Sequence, residues 1–251
     1  MNSEHILEVR NLCKYFGGVK ADDHISLEIK RGEIVGIVGP NGCGKSTLFN
    51  CIAGYFPPTK GKIFFDGADI TGKKANAVCK RGIARTFQLT QMLPELTVLE
   101  NTMIGAFCRT GNAKEAKKIA EETLEKYDLG ALRRLRDSPA KNLTTVDKKF
   151  LEIVRAAATK PRLLMLDEVM AGLNSSEIKD ALVIIRKLRE NGITILLIEH
   201  IMEVIMNISD RVIVLEAGQK IAEGLPEEIV HDEHVIKAYL GDDSYVKDNQ
   251  S

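Results

Sequence analysis

The sequence predicts an α/β protein: a buried, mainly parallel sheet wrapped by helices, with an antiparallel β subdomain and an inserted helical subdomain. Three observations carry this. Residues Gly39-Pro40-Asn41-Gly42-Cys43-Gly44-Lys45-Ser46 spell G-x-x-x-x-G-K-S between the apolar run Ile34-Val35-Gly36-Ile37-Val38 and the helix-like stretch Thr47-Leu48-Phe49-Asn50-Cys51-Ile52, which is the strand, loop and helix context of a phosphate-binding loop. Nearly continuous apolar runs at 163–166, 193–198 and 212–215 alternate with helical patterns such as 177–190, as buried parallel strands and their covering helices do. Between them, 97–107 and 113–127 carry helical spacing and a dense Lys/Glu mixture without strand signals.

Taken in order, 6–10 and 25–29 alternate apolar with polar residues, as 62–65 does less strictly, and each run closes on turn chemistry such as Arg31-Gly32 or Asp66-Gly67. They are expected as antiparallel strands beside the phosphate-loop strand. The whole chain, 1–251, is expected to form a single domain, with 1–88 and 161–251 as the nucleotide-binding core plus β subdomain and 89–160 as the helical subdomain.

Composition bounds the function. Thirty-five basic and 35 acidic residues cancel, which gives no electrostatic reason to expect nucleic acid as partner. Five scattered cysteines, one of them inside the phosphate loop, fit a reducing cytosol better than a disulfide framework. Residues 1–5 lack a signal pattern, and no apolar run approaches the ~18 residues needed to span a bilayer. Any membrane role is therefore expected to run through another protein.

The loop's chemistry follows from its residue types. Gly39, Gly42 and Gly44 let the backbone N–H groups of Asn41, Cys43 and their neighbours turn inward around an anion, with Pro40, which has no N–H, completing the same loop, and the helix beginning at Lys45, Ser46 and Thr47 adds its positive N-terminal end. Lys45 is placed to reach the β- and γ-phosphates, and the Ser46 hydroxyl to hold Mg²⁺. Leu163-Leu164-Met165-Leu166-Asp167-Glu168 puts two acids at the end of a buried strand, where such sheets bind ligands. Asp167 suits the Mg²⁺ shell, and Glu168 suits a general base for the attacking water. The strand 193–198 ends in Glu199-His200, so a histidine arrives at the same edge as a candidate γ-phosphate switch. Gln88 follows Arg85-Thr86-Phe87 where the chain passes into the helical lobe.

Phosphate loop, Gln88, residues 163–168 and His200 occur in the order and spacing of an ATP-binding cassette ATPase, which the chain resembles from about Leu7 to Gly241. The runs 82–88, 94–101, Ile198-Glu199-His200, Ile221-Ala222-Glu223-Gly224 and Ala238-Tyr239-Leu240-Gly241 resemble the ATPase subunits of branched-chain amino-acid importers. The resemblance implies a P-loop (RecA-like) core, ATP and Mg²⁺ as ligands, and a transport-coupled ATPase. It implies Phe16 as the aromatic that stacks on adenine, with Tyr15 as its neighbouring competitor. Gln88 is implied as a Mg²⁺ and water contact that senses the membrane subunit, and His200 as the switch. Partners would be a second cassette and transmembrane permease subunits, with the chain peripheral on the cytoplasmic face. A lipid or polysaccharide exporter ATPase, a soluble cassette protein and a weakly hydrolysing regulatory cassette are the alternatives.

One motif departs from the family. Where L-S-G-G-Q is expected, this chain has Leu143-Thr144-Thr145-Val146-Asp147, which replaces glycines with β-branched residues and fits a T-x-x-D helix cap. Either Thr144 keeps the hydroxyl and helix dipole of a working signature, or the motif is impaired; because a signature acts on the partner's nucleotide, the second reading carries the expectation of a heterodimer with a cassette that brings an intact one. After Glu168, Val169 stands where proline is usual. Asn174 stands where aspartate is common, and reads either as an interface contact or as a helix cap.

Overall fold

The structure, a computed structural model, describes residues 4–86, 92–127 and 131–240. The chain divides into two compact units, Met1–Ala75 with Leu196–Ser251, and Asn76–Ile195.

In the first unit, β1 (His5–Phe16) and β2 (Val19–Lys30) pair antiparallel. Leu7 lies opposite Ile29, Val9 opposite Leu27 and Leu12 opposite Ile25, so one apolar face is continuous and buried. After β3 (Ile34–Val38) and α1 (Lys45–Ile52), β4 (Lys60–Phe65) extends that sheet on the other side of β1, and β5 (Ala68–Asp69) closes it in the order β2-β1-β4-β5. These strands were expected beside the phosphate-loop strand. They instead make a sheet of their own, because their hydrophobic faces match one another in register while β3, buried at all five positions, needs neighbours on both edges.

The second unit begins with α2 (Ala75–Arg81) and β6 (Ile83–Arg85), followed by α3 (Val98–Ala106), α4 (Ala113–Tyr127) and α5 (Thr145–Ala158). The helices 97–107 and 113–127 read from the sequence are thus present. Then come β7 (Leu163–Asp167), parallel to β6, and α6 (Ser175–Glu190). Helices α3 and α5 touch backbone to backbone at Gly105, where a Cβ would lie 2.0 Å from the Arg155 carbonyl oxygen. Asn174 caps α6, its Oδ1 accepting from Ser176 N at 3.0 Å and Glu177 N at 3.1 Å, while Glu177 accepts from Asn174 N at 2.8 Å. A reciprocal capping box explains Asn174 without further function.

Strand β8 (Thr194–Ile198) crosses the division: in the second unit the order is β8-β7-β6, and in the first it is β10-β9-β3-β8. The remaining elements are α7 (Met202–Ile208), β9 (Arg211–Glu216), β10 (Gln219–Gly224), α8 (Pro226–Ile229) and α9 (Glu233–Leu240). Strand β9 runs parallel to β3, and β10 returns antiparallel through the two-residue turn Ala217-Gly218, both at positive φ (46° and 79°).

Asn101 shows how the segment before α3 is fixed. Wholly buried, it accepts from Leu93 N at 2.9 Å and donates to the carbonyls of Leu93, Leu96 and Thr97 at 2.9, 3.1 and 3.0 Å. Asn101→Ala strands those groups in a dry site and is expected to cost about 3 kcal/mol. Urea denaturation compared with the parent chain checks this.

Candidate functional site

The phosphate loop lies wholly in the first unit, between β3 and α1. Its glycines are forced by space as well as by dihedral angle. A Cβ at Gly39 (φ 151°) would lie 2.1 Å from the Leu215 carbonyl oxygen, and one at Gly44 (φ 109°) 2.4 Å from Asp22 Oδ1 and 2.5 Å from the Ala21 carbonyl oxygen. The tip of the β9–β10 hairpin holds the loop from behind, with Gly218 N donating to Cys43 O at 3.0 Å and Asp23 N donating to Gly218 O at 2.8 Å. Helix α1 has Gly44 as N-cap and no side-chain cap bond, so its first N–H groups are left for an anion.

Lys45 is buried, and its Nζ donates to Gly39 O at 2.7 Å and Pro40 O at 2.9 Å. The ammonium is therefore inside the turn of the loop it belongs to. Ser46 is exposed at the first turn of α1, with Thr47 half-buried beside it and Asn41 and Gly42 exposed. A glycine cradle, an uncapped helix start, one interior cation and one accessible hydroxyl fit a triphosphate carrying a divalent ion.

Phe16 ends β1 with 44% of its surface exposed, edge-on to Phe56 at 5.4 Å between centroids and under Lys14 Nζ at 4.8 Å. It is thus no core residue. Its competitor Tyr15 is engaged, donating to Asp23 Oδ1 at 2.7 Å. His200 follows β8 and is exposed.

In the second unit, Asp167 ends β7 buried, with Oδ2 2.6 Å from Arg85 Nη2 and its own N–H donating to Thr86 Oγ1 at 3.1 Å. Arg85 was not singled out in the sequence, where one arginine on a three-residue strand carries no signal. Glu168 is half-buried and left-handed (φ 50°), a conformation costing a non-glycine of order 1 kcal/mol. Lys149 Nζ donates to the carbonyls of Val169, at 3.4 Å, and Ala171 in the turn that follows. Gln88 lies outside the described residues.

The departing motif is self-capped. Thr144 Oγ1 accepts from Asp147 N at 3.1 Å and donates to Asp147 Oδ2 at 2.7 Å, while Oδ1 accepts from Ala131 N at 3.2 Å. Asp147 is 8% exposed, so its carboxylate is spent within its own unit. Lys149, two residues on, is occupied by the turn after Glu168.

Asp22 is the residue that reasoning from sequence missed. It is fully buried behind Gly44, with no hydrogen-bond partner for either carboxylate oxygen among the described residues, and burial pushes its pKa from 3.8 up to about 7. Strict alternation back from Ile25 would bury Asp23. Left-handed His24 (φ 61°) and the register shifts of β1 against β2 turn Asp22 inward instead.

A glycine cradle between a parallel strand and an uncapped helix, beside a separate antiparallel sheet, defines a P-loop ATPase of the cassette type. A profile of the ABC transporter family matches residues 23–171, and one described as branched-chain amino acid ATP-binding cassette transporter matches 219–245. The chain is 38% identical over 258 residues to the high-affinity branched-chain amino acid transport ATP-binding protein BraF of Pseudomonas aeruginosa, covering 96% of this chain and 99% of the relative. It is 38% identical over 254 residues to LivG of Salmonella typhimurium, likewise a high-affinity branched-chain amino acid transport ATP-binding protein, with the same coverage of 96% and 99%. Among solved structures, the ADP conformation of MJ1267, an ATP-binding cassette of an ABC transporter, superposes with a TM-score of 0.85 at 35% identity, covering 95% of this chain and 100% of that one. The chain belongs to the ABC transporter family and is an ATPase subunit. No described helix is long and apolar enough to cross a membrane.

Asp22 makes stability depend on pH with a definite sign. The folded chain keeps the proton to about pH 7 whereas an unfolded aspartate releases it near 3.8, so stability is greatest below that value and falls as pH rises to about 7. Asp22→Asn, which cannot ionise, is expected to gain up to a few kcal/mol over the parent at pH 8, with the gap closing between about pH 7 and pH 4. Guanidinium denaturation of both chains across that range is the measurement.

Proposed function

We propose that this chain is the motor subunit of an importer for branched-chain or related amino acids, held at the cytoplasmic face by permease subunits. The observation carrying the reading is the pairing of a glycine-lined phosphate loop before an uncapped helix with a C-terminal segment, 219–245, that matches the branched-chain cassette profile. Both relatives named above bear branched-chain transport in their names.

In this reading residues 1–88 and 161–251 form the catalytic core and 89–160 the helical lobe. The loop amides and Lys45 bind the phosphates, with Lys45 Nζ moving from the carbonyls of Gly39 and Pro40 onto phosphate oxygen. Phe16 takes the adenine. Ser46, Asp167 and Gln88 hold Mg²⁺, which when bound draws negative charge off the phosphate oxygens. Glu168 accepts the proton of the attacking water, and His200 orients it against the γ-phosphate. Arg85 donates to the Asp167 carboxylate at 2.6 Å and fixes its direction.

The second cassette is proposed to be a different chain. Support comes from Thr144 and Asp147, which satisfy the start of α5 by themselves, so that two copies of this chain would each offer the other a closed helix end. The same observation favours a second reading, a regulatory cassette that hydrolyses weakly whatever its partner.

Two measurements decide. Glu168→Gln is expected to keep Mg-ATP binding within about twofold while lowering turnover by at least about 100-fold; retained turnover removes Glu168 as base. The purified chain alone is expected to hydrolyse ATP at least about tenfold more slowly than its mixture with a cassette carrying L-S-G-G-Q, from the ~2 to 4 kcal/mol that a preorganised donor contributes. Equal rates would sink the heterodimer, and slow rates in both cases would favour the regulator.

A further inference from the structure

Cys79, on α2, and Cys108, just beyond α3, face each other with Sγ···Sγ 3.2 Å, both half-buried and reachable from solvent. Closing them to the ~2.05 Å of a disulfide takes a shift of about 1.2 Å, within reach of small side-chain rotations. The setting differs from that of the other three cysteines, Cys13, Cys43 and Cys51, which are buried and lie singly among their neighbours. Arg109, next in sequence, spans the surrounding helix ends: its guanidinium donates to the carbonyls of Lys80 at 2.8 Å, Cys79 at 3.4 Å and Lys160 at 3.4 Å, and to that of Thr159. A fixed cation therefore sits beside the pair, its charge opposing in part the burial that raises the Cys79 thiol. Metal binding is a poorer account. Among the described residues the one cluster offering three ligands is Cys13, Asp23 and His24, so Cys79 and Cys108 have no third donor.

We propose that Cys79 and Cys108 form a reversible disulfide that staples α2 to the end of α3 and slows ATP turnover while it is closed. The bridge would enclose residues 80–107, which hold β6, Gln88 and the Asn101-fastened segment before α3. Gln88, which the family resemblance makes the contact that senses the membrane subunit, lies within this span, and the bridge would tie the span's two ends together covalently. The regulatory consequence rests on the ATPase reading; the bond itself does not.

The oxidant is a low-molecular-weight disulfide such as glutathione disulfide. Cys108 loses its proton and attacks one sulfur, releasing one glutathione, which takes up that proton as a thiol. Burial and the neighbouring thiol push Cys79 up to about 12, so it stays protonated through the first step and acts second. Cys79 then attacks the Cys108 sulfur and its proton leaves with the second glutathione. Two protein thiols are oxidised to one disulfide and one glutathione disulfide is reduced to two thiols.

The full chain is equilibrated with reduced and oxidised glutathione at graded ratios, alkylated and mapped by mass under non-reducing conditions. The expected result is a linked peptide joining Cys79 to Cys108, lighter by two hydrogens, with Cys13, Cys43 and Cys51 alkylated as free thiols. In parallel, ATP turnover of the oxidised chain is expected to fall at least threefold and to recover with dithiothreitol, while Cys79→Ser and Cys108→Ser keep the reduced rate at every ratio. Glutathione adducts that accumulate without the linked peptide, or a pair that stays reduced in fully oxidised glutathione, would overturn the site. A linked peptide with unchanged turnover would overturn the control. Because the bond is read by mass, a reduced chain with no ATPase activity would count against the catalytic reading and leave the bond's own result standing.

Discussion

The first unit depends on how closely backbone can approach backbone at the two ends of the phosphate loop. At Gly39 the space for a side chain is taken by the Leu215 carbonyl at the end of β9, and at Gly44 by Asp22 and the Ala21 carbonyl on β2. The loop is therefore wedged between the end of β9 in one sheet and β2 in the other. That wedge turns the amides inward and directs the start of α1 at one point, and the hydrogen bonds of Gly218 to Cys43 and Asp23 bind the three segments together. Pre-organisation of this kind spares the ligand the ordering cost of its own site.

The same closeness brings an acid against the cradle. A buried carboxylate without a partner is among the more expensive groups a fold can carry, and here it sits behind the loop that must attract a highly charged anion. Its raised pKa relieves part of the cost by keeping the proton until near neutrality. Cys51 shares that environment, its thiol pushed up to about 12 by burial and by the nearby Asp22 charge. Lys45 is drawn instead onto the carbonyls of Gly39 and Pro40, which places a positive charge within the loop itself.

Much of this was legible in the sequence, for physical reasons that also mark where reading stopped. The phosphate loop could be read because glycine spacing, lysine and flanking elements are all local. Buried strands such as β7 and β8 could be read because burial on both faces writes a continuous apolar run. Strand β1 continued past Arg10 because a shift of register at left-handed Asn11 (φ 48°) breaks the alternation while the chain stays paired. Strand β10 was passed over because its residues are only half-buried and its ladder slips between Lys220 and Ala222. Asp22 and Arg85 stayed hidden for one reason: each owes its role to a residue distant in sequence, Gly44 for the first and Asp167 for the second. Thr144 and Asn174, by contrast, are local caps: Asp147, three positions on, gave the first away, and the helix start at Ser175-Ser176 made a cap one of the two readings of the second.

Two helix starts in this chain illustrate opposite solutions to one problem. Every helix begins with N–H groups that lack intrahelical acceptors. Helix α1 leaves them to whatever anion arrives, having a left-handed glycine before it and no side chain able to cap. Helix α5 consumes its own: Thr144 takes the Asp147 amide, and the Asp147 carboxylate, returning to Thr144 and to Ala131 N, neutralises the positive end with a charge already in place. An anion brought to α5 would have to displace a bonded carboxylate, whereas at α1 no carboxylate is bonded to the helix start and the acid behind it, Asp22, keeps its proton to about pH 7. The asymmetry is carried by a handful of atoms. It is the physical ground on which a dissimilar partner is proposed.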